Sequence, residues 1–286
     1  MDPTTRQQAI LLYDRFTHDG MERRAFMAEM AKLAGSVAAA ELLIAGIAAS
    51  PAAAAIVPEN DPHIVTHTQT LTGGYKAYVA EPRTRSLKAT VLVIHENRGL
   101  NDHIRDVARR LAVAGLRAVA PDMLSPSGGT PANEDAARDA IGKLDLGKSV
   151  SDAVAMLDEL RKSSRGGKVG AVGFCWGGGF VNRLAIAAGD KLAAGVTYYG
   201  PAPDPSEAPK VQAAMEFHDA GLDDRVNRGS FLWITALRAA GKTVKFFLYD
   251  DVNHAFNNDT SAERYNKPAA DLAWKRTLAF FHQHLG

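Results

Sequence analysis

The chain has 286 residues, 46% of them hydrophobic and 23% charged, which fits one large globular domain with an extension. Its 33 basic and 32 acidic residues leave a formal net charge of +1 and are mixed along the chain, which excludes the electrostatic footprint of a nucleic-acid binder and points to a small-molecule ligand. A single cysteine excludes an internal disulfide and a cysteine-cluster metal site, and the nine histidines show no H-E-x-x-H or comparable spacing, so no metal is expected.

Residues 1–60 differ in texture from the rest of the chain. A polar, amphipathic lead over Gln8–Phe16 precedes Glu22-Arg23-Arg24-Ala25-Phe26-Met27, an alanine-rich apolar run from Leu33 to Ser50, and Pro51-Ala52-Ala53-Ala54-Ala55. Paired arginines, a nearby phenylalanine, a weakly apolar core and an Ala-x-Ala end resemble a twin-arginine export signal. Glu41 inside the apolar run and the long leader before the arginines fit instead a pair of helices packed on the domain or on a partner subunit. The first reading places the protein in the periplasm or outside the cell, the second in the cytoplasm with a helical arm. Neither leaves a stable membrane insertion in the mature form, and a homo-oligomer stays open.

From Asp61 the pattern becomes that of a folded domain. Ile64–Leu71 and Tyr75–Ala80 alternate around Gly73-Gly74 and predict a β-hairpin. Ala89–Ile94 is a continuous apolar run suited to a strand buried on both faces, and it ends in His95-Glu96-Asn97-Arg98-Gly99. Helical spacing over Asp102–Ala114 stops at Gly115. A short strand over Leu116–Ala120 meets Pro121-Asp122, and helical patterns return over Glu134–Ile141 and Ser149–Leu160. The strand Lys168–Val172 then enters Gly173-Phe174-Cys175-Trp176-Gly177, followed by helix over Gly178–Ala188. Further strands are predicted at Ala194–Tyr199, Ala213–Phe217 and Val244–Tyr249. Leu222–Asn227 reads as a turn, with helix from Phe231 to Ala239. A last helix over Pro268–His284 offers Leu272, Leu278, Phe280 and Phe281 to the core. Strands alternating with helices at this spacing predict an α/β fold with a mostly parallel sheet and an antiparallel hairpin at one edge.

The stretch around Cys175 has the G-x-C-x-G form of a nucleophile elbow, with sulfur in place of a serine oxygen. A buried structural cysteine beside a tight turn is the alternative. Cys175, Asp223 and His254 all follow predicted strands, where one parallel sheet gathers them at the same rim. Their order, nucleophile, acid, histidine, is that of α/β-hydrolases. His254 would act as base and then acid, and Asp223 would fix its tautomer, with the neighbouring Asp224 as the substitute candidate. The backbone N–H groups of Asn97 and Trp176 are placed to form an oxyanion hole, worth roughly 3 kcal/mol per donor. Glu96, one residue past a buried strand, needs a partner: either an arginine such as Arg98 or the thiol itself.

The segments Gly173-Phe174-Cys175-Trp176-Gly177-Gly178, His95-Glu96-Asn97-Arg98-Gly99-Leu100-Asn101, Pro121-Asp122, Gly221-Leu222-Asp223 and Asn253-His254-Ala255-Phe256 together resemble the dienelactone hydrolase family (carboxymethylenebutenolidases) over about residues 64–286. The resemblance implies the α/β-hydrolase fold and Cys175, Asp223 and His254 as the triad. It makes Glu96 the group that takes the thiol proton when substrate arrives. It also implies cofactor-free hydrolysis of an ester or lactone through an acyl-thioester. Two positions depart from it. The family's arginines after the Pro-Asp pair and after the histidine, which grip a substrate carboxylate, read Pro126 and Asn258 here, and neither can supply the bidentate grip of a guanidinium. Arg98 or Arg225 could substitute from other loops, and Tyr198 and Tyr199 could line the pocket. Other acyl substrates, through a serine-esterase-like or thioesterase activity, and a non-catalytic protein retaining the fold are the competing readings.

Overall fold

Every side chain of Ala89–Ile94 is buried, and strand alternation divides them. Val91 and Val93 pack into one apolar cluster, Leu92 and Ile94 into another on the opposite face. In the computed structural model, which describes residues 2–48, 56–84, 89–164 and 167–286, this strand lies near the middle of an eight-stranded sheet. Taken across the sheet, the strands are Ile64–Leu71 (β1), Tyr75–Pro82 (β2), Arg117–Pro121 (β4), Ala89–Ile94 (β3), Lys168–Phe174 (β5), Ala194–Tyr198 (β6), Ala214–Ala220 (β7) and Val244–Tyr249 (β8). The β1–β2 hairpin is antiparallel, β2 pairs antiparallel with β4, and every pairing from β4 to β8 is parallel. The mixed α/β sheet, its hairpin edge and helices on both faces are thus as the sequence pattern requires.

The helices are Pro3–His18 (α1), Arg23–Ala34 (α2), Val37–Ile47 (α3), Asp102–Val113 (α4), Glu134–Gly142 (α5), Leu146–Ser163 (α6), Trp176–Ala187 (α7), Asp224–Ala239 (α8) and Lys267–Leu285 (α9). Helices α4 and α9 share one core cluster, with Phe280 and Phe281 fully buried, while α6, α7 and α8 close the other around Trp233. Two expectations are corrected. Leu272 is 43% exposed, so it is not a core contact of α9. The segment Leu222–Asn227 is no simple turn. The Asp223 carboxylate accepts the Val226 N–H at 3.2 Å and caps α8, so the polar stretch becomes the first helical turn.

The N-terminal segment forms three helices with their own apolar cluster, including Ile10, Tyr13, Phe16, Phe26 and Met30. Gly35, at φ +84°, ends α2, and Ser36 caps α3 by accepting the Ala39 N–H. The arm docks on the sheet domain through polar contacts. Gln7 donates to Asn253 at 2.7 Å, Arg6 pairs with Glu263, Arg23 pairs with Asp135, and Ser261 donates to the Ile47 carbonyl at 2.6 Å. Among the described residues no single helix is long and apolar enough to cross a membrane, and α2 with α3 reaches that character only across a 104° bend. The Ala-x-Ala end at residues 51–55 lies outside the described residues.

Candidate active site

Strand β5 runs directly into α7, and Cys175 holds the junction at φ 54°, ψ −117°. That conformation costs a non-glycine residue about 1–3 kcal/mol and persists only where the surroundings enforce it. Here they do. A Cβ on Gly173 would lie 2.1 Å from the Gly177 carbonyl oxygen, and one on Gly177 would lie 2.4 Å from that of Ile94. The two glycines flanking the elbow are therefore required by close backbone approach.

Asp223 and His254 come from the loops after β7 and β8. The Asp223 Oδ2 accepts from His254 Nδ1 at 2.5 Å, which puts the neutral-state proton on Nδ1 and turns Nε2 towards the sulfur. Asp224 does not take this place and lies in the first turn of α8. Burial pulls the His254 pKa down, but the charges of Asp223 and Cys175 outweigh it and push it up to about 10. For Asp223, burial alone would raise the pKa, and the neighbouring His254 and its hydrogen bond hold it below the usual carboxylate range. His254 Nε2 is buried with no hydrogen-bond partner among the described residues.

Cys175, His254, Glu96, Asn97 and Arg98 line one cavity, and Asp223 stands behind His254. Glu96 is not paired with Arg98. Its Oε2 accepts from Asn258 Nδ2 at 2.9 Å, and its Oε1 from the Tyr199 hydroxyl at a long 3.5 Å. Arg98 points instead to the Glu134 carbonyl at 3.0 Å and to the Tyr13 hydroxyl at 3.1 Å. Tyr199 is fully buried and packs on His254 with ring centroids 4.8 Å apart. The backbone N–H groups of Asn97 and Trp176 take no part in the turn and cap hydrogen bonds of the described residues.

The arm supplies residues that sequence reasoning missed. Tyr13, Thr17 and His18 of α1 line the same cavity, with Asn258 and Arg264 from the loop after β8. His18 Nε2 lies 3.1 Å from Cys175 Sγ, and Asn97 Nδ2 donates to the Thr17 carbonyl at 3.3 Å. His18 Nδ1 sits 2.9 Å from the Asp14 carbonyl, an acceptor only, which places the proton there and leaves Nε2 a lone pair. Burial, reinforced by the charges of His254 and Arg225, depresses the His18 pKa well below its usual value and keeps the ring neutral. Arg264 holds Asp14 at 3.4 Å and covers the Tyr13 ring. With α1 in place the space over the thiol is about 20 Å³, room for one water and no ester. Nothing in the sequence signals His18, because its partners are brought to it only by docking of the arm.

The dienelactone hydrolase family model matches residues 75–285. The chain belongs to the dienelactone hydrolase family. Relatives named "Putative carboxymethylenebutenolidase" include one from Methylorubrum extorquens, 33% identical over 229 residues covering 74% of this chain and 78% of the relative, and one from Escherichia coli K12, 31% identical over 259 residues covering 84% and 94%. A Klebsiella pneumoniae crystal structure titled "Putative Dienelactone Hydrolase" superposes with a TM-score of 0.68 at 26% identity, covering 77% of this chain and 99% of that one. A dienelactone hydrolase from Anabaena variabilis shares the fold, with a TM-score of 0.64 at 21% identity over 78% of this chain and all of that one. As a member of the dienelactone hydrolase family the protein is a hydrolase with an α/β-hydrolase fold, and action on a small-molecule ester or lactone is consistent with that membership.

Proposed function

We propose that the protein hydrolyses an ester or lactone through Cys175 as nucleophile, with Asp223 and His254 completing a triad. The observation that carries this reading is the Asp223–His254 hydrogen bond at 2.5 Å, behind an imidazole whose Nε2, without a hydrogen-bond partner among the described residues, lies near the elbow thiol. His254 Nε2 takes the thiol proton as the sulfur bonds the carbonyl carbon, and the carbonyl π electrons move to oxygen to form a tetrahedral oxyanion held by the N–H groups of Trp176 and Asn97. Collapse expels the alkoxide, which takes a proton from His254, and leaves an acyl-thioester. Water then gives its proton to His254 as it attacks, and the acid departs from a regenerated thiol.

Glu96 is the second candidate base for the thiol, in keeping with the family resemblance. At rest its carboxylate is engaged by Asn258 and Tyr199, while the thiol proton points to His18. Substrate entry therefore has to move α1 before Glu96 or His254 can serve the sulfur. The missing family arginines bear on the substrate. Asn258 is buried and committed to Glu96, but Arg98 and Arg264 line the cavity, and both are satisfied at present by Tyr13 and Asp14 of the arm.

The test is turnover of an aryl-ester and lactone panel, neutral against anionic, by wild type, Cys175→Ser and His254→Ala. Loss of at least about a hundredfold in both variants is expected. Unchanged rates in both would leave the catalytic reading without support.

A further inference from the structure

Three donors meet over the elbow. His18 Nε2, Cys175 Sγ and His254 Nε2 lie within 4.8 Å of one another, with Cys175 and His254 buried and His18 half-buried. We propose that they form a binding site for a thiophilic divalent cation, Zn²⁺ foremost, which ties the N-terminal arm to the hydrolase domain through the metal. The inference concerns binding and does not depend on the hydrolytic reading.

Both imidazoles are arranged as metal ligands are. Each presents Nε2 to the centre and has its Nδ1–H engaged behind: His254 by the Asp223 carboxylate, His18 by the Asp14 carbonyl at 2.9 Å. Such outer partners fix the tautomer and raise the basicity of the inner nitrogen. A tetrahedral zinc with Zn–N near 2.0–2.1 Å and Zn–S near 2.3 Å asks for donor separations of about 3.4–3.7 Å. The His18–Cys175 distance of 3.1 Å opens by a few tenths of an ångström to meet it, and the widest gap closes by about one ångström. The imidazole of His254 gains most, because its Nε2 is otherwise buried without a hydrogen-bond partner among the described residues.

Size and chemistry select the ligand. The cavity of about 20 Å³ accepts a single water-sized group, such as one ion, and excludes any ester. Two nitrogens and a sulfur with no oxygen suit Zn²⁺ and its borderline neighbours, and disfavour Mg²⁺ and Ca²⁺. Glu96, whose carboxylate lines the cavity, already receives hydrogen bonds from Asn258 and Tyr199. On binding, the thiol proton, and the Nε2 proton of His254 where present, leave to solvent while sulfur and both nitrogens donate electron pairs to the metal. The sequence pattern predicted no metal because these donors stand at positions 18, 175 and 254, on separate elements with no short spacing. A cation here would hold α1 down and the nucleophile quiet together.

Cobalt(II) titration of the full chain under anaerobic conditions tests this without substrate. One equivalent is expected to produce a thiolate-to-cobalt charge-transfer band and tetrahedral visible bands. Cys175→Ser should abolish the charge-transfer band, and His18→Ala and His18→Gln should each weaken binding by at least about tenfold. Zinc should slow alkylation of Cys175 by iodoacetamide in wild type, a readout that needs no variant to fold. Absence of the charge-transfer band at millimolar cobalt, zinc-independent alkylation, or unaltered affinity in both folded His18 variants would overturn the site. None of these results bears on the ester-hydrolysis assay in a chelator-treated sample, so the two readings fail separately.

Discussion

His18 Nε2 stands 3.1 Å from Cys175 Sγ across 157 residues of chain, so the first helix ends on the residue that the elbow presents. The contact couples two otherwise unrelated matters, the docking of α1 and the reactivity of the thiol. Removing the imidazole takes away both a hydrogen bond and the cover over sulfur, together worth about 1–2 kcal/mol of local closure. His18→Ala should therefore alkylate at Cys175 roughly tenfold faster than wild type with iodoacetamide at pH 7.5 in the presence of a chelator. Rates within about twofold of each other would mean that α1 does not guard the thiol.

Asp223 has two duties that one substitution can separate. Its Oδ2 orients His254 and its Oδ1 caps α8 through the Val226 N–H. Asn keeps an acceptor for the cap but cannot stabilise an imidazolium, and it favours the wrong tautomer. Asp223→Asn is expected to lower kcat by about 10²–10⁴ and to cost about 1–2 kcal/mol of stability near pH 9, where His254, pushed up to about 10, still holds its proton. A variant that keeps kcat within severalfold would remove Asp223 from the mechanism.

Much of this site could be read from the chain, and the reason is local chemistry. Cys175 at the elbow, the loop residue Asp223 ahead of a helix and His254 after the last strand each follow a strand, and a parallel sheet collects strand ends at one rim. The run Ala89–Ile94 identified its own double burial because every residue in it is apolar. What stayed hidden depends on tertiary docking. Whether Glu96 pairs with Arg98 could not be decided from adjacency, and in the fold Tyr13 and Asp135 take Arg98 while Asn258 takes Glu96. His18 ends the lead helix just ahead of a region that resembles an export signal, and composition says nothing of where a helix end lands. The start of α8 was obscured because Asp223 looks like turn chemistry until its side chain is seen capping the helix.

Acid should loosen the arm. Burial holds the His18 pKa well below its usual value, whereas in the unfolded chain it titrates near about 6.5. The folded-state value is the lower one, so neutral His18 contributes stability above the unfolded pKa, and that contribution is lost as pH falls below it, by up to about 1.4 kcal/mol per pH unit. His18→Gln lacks this titration. The stability advantage of wild type over His18→Gln, measured by urea unfolding, is expected to shrink steadily between about pH 7 and pH 5. A constant difference over that interval would show that His18 is accessible to protons in the folded protein.

The amide nitrogen of Asn258 donates to Glu96 Oε2 at 2.9 Å while its Oδ1 accepts from the Thr260 backbone and hydroxyl. Asn258→Asp preserves the second set of contacts and changes only the first, setting two buried carboxyl groups against each other. Both cannot ionise at that separation without a large penalty, so one must retain its proton at neutral pH. The variant is expected to lose about 3 kcal/mol of stability at pH 7.5 by urea unfolding, and to recover part of that loss by pH 5, where a shared proton replaces the missing amide donor. Asn258→Ala, which leaves the acceptor unpaired and adds no charge, should show a loss that varies much less with pH. If Asn258→Asp were as stable as wild type at pH 7.5, the Glu96 carboxylate would have to reach another donor or solvent, and its place as a held base beside Cys175 would be lost with it.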